Sequence, residues 1–152
     1  MDGLAPVGAL VRRPAVAVRR RIINGLHAAG FTDLQPGHLT VLAWPGPDGV
    51  RPGVLAARAD ASKQAMNHLL GQLEALGYIT RDADPTDRRT RIVRLTERGQ
   101  AAYAELETVV QAVEKEWREV LGEDAYVSLR SALILLNEHF EEVPIPANHN
   151  HD

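Results

Sequence analysis

Ser62, Lys63, Gln64, Asn67 and His68 stand in the run SKQAMNHLLG, whose polar members recur at helical spacing. If Ser62 caps a helix, the next four fall on its outer face over the first two turns. Gly71 then leaves that face low enough to approach a groove wall. These side chains donate to phosphate or hydrogen-bond base edges: amides can pair with adenine through two bonds, and lysine with guanine or a phosphate. A plainly solvated face ordinarily carries glutamate early, yet the first acid here is Glu74, in the last turn. Recognition of a polyanion is therefore favoured over simple solvation.

A second cluster lies downstream. Arg88, Arg89 and Arg91 crowd one end of DADPTDRR and the strand after it, with Arg81 and Arg94 on the flanks. A β-ribbon tipped with guanidinium groups can enter a narrow, A/T-rich minor groove, where the negative potential is enhanced. Asp82 and Asp84 dilute the positive charge, whereas Asp87 is placed to orient a neighbouring arginine through a charge-assisted hydrogen bond. The alternative is an exposed loop with surface ion pairs, which are worth little.

These groups need a frame, and apolar periodicity supplies one. Val11, Ala15, Val18, Ile22, Leu26 and Ala29 mark one face of a helix that starts or kinks at Pro14 and stops at Gly30. A second helix opens near Pro36 and carries His38, Leu39, Val41, Leu42 and Trp44 before the break at residues 45–49. A short helix over 52–59 should bury Val54, Leu55 and Ala57, and residues 58–61 read as a tight turn. The helix from Ser62 to Leu76 carries the stripe Met66, Leu69, Leu70, Leu73, Leu76 and is closed by Gly77. Strands are expected over 78–81 and 90–96, with a connection too long for a two-residue turn. From Gln100 a long helix carries Tyr103, Leu106, Val113, Trp117 and Val120. After Gly122 another carries Tyr126, Leu129, Leu133, Leu136 and Phe140.

Composition closes off other classes. The 152 residues are 45% hydrophobic and 24% charged, enough for one domain with a buried core. Net charge is −3, but residues 1–50 hold five arginines against three acids, and residues 51–98 nine Lys and Arg against six. Residues 101–152 hold three against eleven, so a basic front half precedes an acidic back half. Absence of cysteine excludes disulfides, thiolate metal sites and a thiol redox switch. No apolar run reaches the length of a membrane span, and the amino terminus places its basic residues after its apolar stretch, the reverse of a secretory signal; a cytoplasmic location is the expectation. The six histidines show no metal-ligand spacing, and Glu141–Glu142, being adjacent, make a poor catalytic pair. No metal, no cofactor and no catalytic residues are expected.

With those elements in order, the stretch from Leu55 to Gly99 resembles the winged helix-turn-helix core of the MarR family of bacterial transcriptional regulators. DPTDRRTRIVRLTERG, residues 84–99, is similar to the family's wing motif: Asp-x-Arg, an aliphatic strand, then Leu-Thr-x-x-Gly. Asp87, Arg89, Val93, Leu95, Thr96 and Gly99 fill those positions, and the resemblance extends over about residues 8–140. It implies a mainly α fold with a small β-hairpin wing (α+β) in a single domain, 1–152. Residues 35–99 would be the DNA-binding core, 6–30 and 100–142 the dimerisation helices, and 143–152 a disordered tail. The resemblance further implies a homodimer, acting as a repressor on a pseudo-palindromic operator in double-stranded DNA. The recognition helix, with Ser62, Lys63, Gln64, Asn67 and His68, would enter the major groove, and the wing, with Arg89 at its tip between Arg88 and Arg91, the minor groove. The family often has arginine where Asn67 or His68 stands, so a different operator sequence is expected. Release by a small aromatic or phenolic anion is also implied, with Arg19, His38 and Trp44 as pocket residues.

The dimer has an independent argument. The terminal stripes exceed what a small winged core can cover, and a symmetric pair burying Val11, Val113, Trp117, Leu129, Leu133, Leu136 and Phe140 would hide them. The alternatives are an intramolecular bundle in a monomer and, for function, a winged-helix protein–protein adaptor that does not touch DNA, which the pI of about 6.1 keeps open.

Overall fold

The computed structural model describes residues 5–43, 46 and 48–139. Trp44, Phe140 and the expected tail over 143–152 lie outside the described residues. Helix α1 spans Val7–Ala28. A 3-10 turn, Pro36–His38, leads into α2, Leu39–Leu42. Helices α3, Pro52–Arg58, and α4, Lys63–Ala75, precede a hairpin of β1, Ile79–Asp84, and β2, Asp87–Leu95. Helices α5, Glu97–Leu121, and α6, Glu123–His139, complete the order. No described helix is long and apolar enough to cross a membrane.

Helix α1 begins at Val7 and runs through Pro14, so the helix does not start at the proline. Only its second half is buried, through Ile22, Ile23 and Leu26. Gly25 permits that packing: a Cβ there would stand 2.5 Å from Cγ2 of Val109 on α5. The core gathers Leu26, Leu34, Leu42, Leu55, Met66, Leu70, Leu73, Tyr78 and Val93, each at most 1% exposed. Helix α3 turns a different face inward from the one expected. Leu55 and Ala56 are buried, and Ala59 packs against the core, while Val54 and Ala57 are exposed. Leu55, Ala56 and Ala59 form one helical face at spacings of one and three, and that face meets α4.

Helix α4 is closed at both ends by its own sequence. Oγ of Ser62 accepts from the Ala65 amide at 3.1 Å. At the other end Gly77 has φ +81°, its amide donates to the Glu74 carbonyl, and the Tyr78 amide donates to Leu73. That is the Schellman arrangement, which requires the left-handed residue glycine supplies.

The hairpin is longer, and its turn shorter, than the sequence suggests. Pairing runs in one register from Ile79↔Leu95 to Ala83↔Arg91, then slips to Asp84↔Asp87. Pro85 and Thr86 alone connect the strands, and Arg88, Arg89 and Thr90 have no cross-strand partner. The cause is Asp84, whose Oδ1 accepts from the Thr86 amide at 2.9 Å and the Thr86 hydroxyl at 2.7 Å. Its Oδ2 accepts from Arg51 at 2.9 Å. An aspartate satisfied in this way makes a tight turn from residues that read as a loop. Val50 adds an antiparallel bridge to Val93.

Thr96 joins the wing to α5. Its Oγ1 accepts from the Gly99 amide at 3.1 Å and donates to the Gly77 carbonyl at 2.6 Å. The helix thus starts at Glu97, not Gln100, and Gly99 must be glycine, because a Cβ would lie 2.1 Å from the Tyr78 carbonyl oxygen.

Candidate nucleic-acid interface

The turn between α3 and α4 is made by Asp60, with φ +49°, and by the Ala61 amide donating to Ala56 at 2.9 Å. It delivers Ser62, Lys63, Gln64, Asn67 and His68 to the surface, all exposed, with Met66 turned inward. The expected outer face is therefore present as a set. His68 is held: its Nε2 lies 3.1 Å from Nε2 of Gln72, one turn further along.

At the wing tip Arg88, Arg89 and Arg91 are exposed. Asp87 supports this tip by a route other than the one expected. Its Oδ1 accepts from the backbone amide of Arg89 at 3.0 Å, and its Oδ2 from the Thr90 hydroxyl at 3.0 Å. The carboxylate shapes the backbone and leaves the Arg89 guanidinium unneutralised. Among the described residues, Lys63, Arg88, Arg89 and Arg91 form no ion pair. Arg81 does: its Nη2 and Nε reach Oε2 of Glu74 at 2.5 and 2.9 Å, tying the wing to the end of α4. Arg94 sits 3.8 Å from Asp82.

Two supports had no signal in the sequence. Arg51, the residue just before α3, anchors Asp84 and so braces the wing. Hydrogen bonds from Thr86, outweighing burial, and the Arg51 charge hold the Asp84 carboxyl below the usual range. The second is a junction of Asp33, Tyr78 and Arg98. The Tyr78 hydroxyl donates to Asp33 at 2.5 Å, and Arg98 reaches the other carboxylate oxygen at 3.0 Å. Arg98 also donates to the Leu76 carbonyl and lies 4.2 Å above the Tyr78 ring. Burial raises the pKa of Asp33, but the bonds from Tyr78 and Arg98 outweigh it and leave the carboxyl below its ordinary value. Burial, then the bond to Asp33, pushes the Tyr78 hydroxyl up to about 12.

Of the residues expected to line an effector pocket, Arg19 and His38 lie among the described residues. Arg19 donates to the Pro36 carbonyl at 3.1 Å. His38 is 3% exposed, with Nδ1 accepting from the Gln35 amide and Nε2 bonded to Gln72. Both meet at the 3-10 turn, but neither lines the apolar groove of about 370 Å³ formed by α1, α5 and α6. Pro14, Val18, Val113, Trp117, Val120 and Leu129 line that groove, with an Arg21–Glu116 ion pair of 2.6 Å at its edge. Of the expected dimer residues, Val113 is already buried within one protomer and Trp117 and Leu133 are half-buried, while Val11, Leu129 and Leu136 are exposed. Among the described residues no group of three His, Cys, Asp or Glu could hold a metal.

A family model described as "MarR family" matches residues 32–90, from the loop before α2 to the wing tip. The HTH-type transcriptional repressor Rv2887 of Mycobacterium tuberculosis is 31% identical over 110 residues, 72% of this chain and 78% of that one. The chain belongs to the MarR family. Solved structures of the MarR family share the architecture of this chain over most of its length. The crystal structure of MarR superimposes with a TM-score of 0.76 at 25% identity, over 93% of this chain and 95% of that one. CouR bound to a 23-mer DNA duplex gives 0.68 at 26% identity, over 86% and 92%. Rv2887 in complex with salicylic acid gives 0.64 at 27% identity, over 90% and 99%. As a member of this family the protein is a winged helix-turn-helix, DNA-binding transcriptional regulator.

Proposed function

We propose that this regulator acts as a homodimeric repressor on a pseudo-palindromic operator. Its α4 would enter the major groove and its wing the adjoining minor groove. Ser62, Lys63, Gln64, Asn67 and His68 would contact bases and phosphates, Arg88 and Arg91 the backbone, and Arg89 the minor groove. Residues 35–99 act as the DNA-binding core, and the helical segments 6–30 and 100–142 as the dimerisation part. One observation carries the reading: an exposed helix face, free of acids over its first two turns, is locked through the Glu74–Arg81 pair to a hairpin whose tip arginines form no ion pair among the described residues. CouR, solved on a DNA duplex, supports it by likeness.

The dimer is supported by apolar surface that one protomer leaves bare. Val7 and Leu10 on α1, Val120 on α5 and Leu135 on α6 are 68, 57, 77 and 65% exposed. A twofold pair burying these with Val11, Leu129 and Leu136 removes the exposed stripe, and the acidic back half then sits away from DNA. The complex of Rv2887 with salicylic acid supports release by a small aromatic anion. Such a ligand acts by favouring a spacing of the two α4 helices that no longer fits successive grooves. Arg19, near the 3-10 turn, offers the charge for it. The protein works in the cytoplasm, on DNA, without catalysis.

Salt titration of binding tests this directly. Fluorescence anisotropy on genomic fragments selected by the protein should show log K falling with log salt at about 0.9 per phosphate neutralised. A flat salt response would favour the adaptor reading.

A further inference from the structure

The outward edge of α4 is chemically continuous with the buried turn before α2. The backbone amide of Gln35 donates to Nδ1 of His38 at 3.0 Å. A backbone amide can only donate, so that nitrogen carries no proton, and the neutral ring holds its proton on Nε2. Nε2 of His38 lies 3.0 Å from Oε1 of Gln72, which accepts. The far end of the Gln72 amide is then decided: its Nε2 donates to Nε2 of His68 at 3.1 Å. A ring nitrogen that accepts carries no proton, so His68 holds its proton on Nδ1. Reversing the Gln72 amide would set two donors against each other at His38. Moving the His38 proton to Nδ1 would leave the Gln35 amide without its partner.

We infer that this chain, Gln35–His38–Gln72–His68, fixes His68 as a hydrogen-bond donor through Nδ1 to a base edge in the major groove. His68 is a specificity-determining residue, and His38 and Gln72 are positioning residues. The inference rests on the DNA-binding reading above and names what one side chain of that face recognises. In the major groove a donor is matched by N7 and O6 of guanine, N7 of adenine and O4 of thymine, and is opposed by the N4 amino group of cytosine. One strand position in each half-site should therefore accept guanine, adenine or thymine and reject cytosine by about tenfold, the value of one net hydrogen bond.

The test begins on the free, full-length, 15N-labelled protein. Long-range 1H–15N correlation identifies the protonated nitrogen of each imidazole. The expected spectrum has His38 protonated at Nε2 and His68 at Nδ1. A proton on Nε2 of His68, or shifts averaged between its two nitrogens, overturns the inference. Gln72→Glu keeps the acceptor for His38 and replaces the donor by a carboxylate, so His68 must gain a proton on Nε2 while His38 is unchanged. An unaltered His68 spectrum in that variant also overturns it. Gln72→Leu, which adds no charge, is then compared with wild type on all single-base-pair variants of the selected operator. It should lose the tenfold rejection of cytosine at the one position and retain discrimination elsewhere. If it keeps that rejection, the specificity role is refuted while DNA binding stands. If the wild-type protein binds no selected fragment better than random duplex, the DNA-binding reading and the role of His68 built on it both fall, whatever the spectra show.

Discussion

Arg89→Ala isolates the wing tip. The guanidinium is exposed and makes no ion pair among the described residues, so its removal breaks no internal bond. The backbone bond from the Arg89 amide to Asp87 survives the substitution, and the tip keeps its shape. Stability should then change by no more than about 0.5 kcal/mol, the range for exposed sites without special geometry. Operator affinity should fall by about 1–3 kcal/mol, or roughly 5- to 150-fold. Two parts of that loss separate experimentally. The charge part lowers the slope of log K against log salt by about 0.9 for each protomer's lost phosphate-type contact. The groove-width part appears as a weaker preference for A/T at the operator flanks. Fluorescence anisotropy at four salt concentrations, on operators with A/T-rich and G/C-rich flanks, measures both. Arg94→Ala is the control, because Arg94 lies lower on the strand beside Asp82. Unchanged affinity and an unchanged slope for Arg89→Ala would refute the wing's assignment to the minor groove. A loss accompanied by a drop in Tm of more than a few degrees would show that the arginine holds the fold.

Four other outcomes follow from the same coordinates. Asp87→Ala removes two acceptors that shape the tip, so it should weaken operator binding several-fold by anisotropy with little change in salt slope, since no cation is lost. Gly99→Ala places a Cβ 2.1 Å from the Tyr78 carbonyl; the overpacking should cost about 1–3 kcal/mol and lower Tm by roughly 3–10 °C in a thermal melt. Tyr78 has a folded pKa of about 12 against 10.0, so the folded state holds its proton more tightly. That contribution is whole below pH 10 and is lost as pH rises through 12, so denaturant titrations should show stability falling across this window, and Tyr78→Phe should flatten the fall. Leu129→Glu puts a charge on the bare α6 face, and light scattering after size exclusion should report monomers with unchanged helix content.

The parts of the molecule that sequence made legible are those governed by local rules. Ser62 as a cap, Gly77 as a left-handed stop and the stripe Met66–Leu70–Leu73 each depend on neighbours within one or two turns, and each was found where expected. What stayed hidden depends on distant partners. The tight turn at 85–86 needs the Asp84 carboxylate, and its brace is Arg51, 33 residues away. Arg98 meets Asp33 across 65 residues, and no periodicity could join them. The face of α3 was misjudged because seven residues present too few apolar positions to define a phase. In the sequence nothing near His38 shows what its ring bonds to. In the fold its two ring nitrogens are committed to Gln35 and Gln72, which ties the turn before α2 to α4.

In the proposed complex two copies of α4 and its wing meet one duplex through a twofold axis. Hydroxyl-radical footprinting on a fragment selected from genomic DNA tests it most directly. Two symmetric sets of protected sugars, centred about one helical turn or a multiple of it apart, with weaker flanking protection in the minor groove, are the predicted result. A single asymmetric footprint, or a symmetric one that persists unchanged when both Asn67 and Arg89 are replaced by alanine, would contradict it.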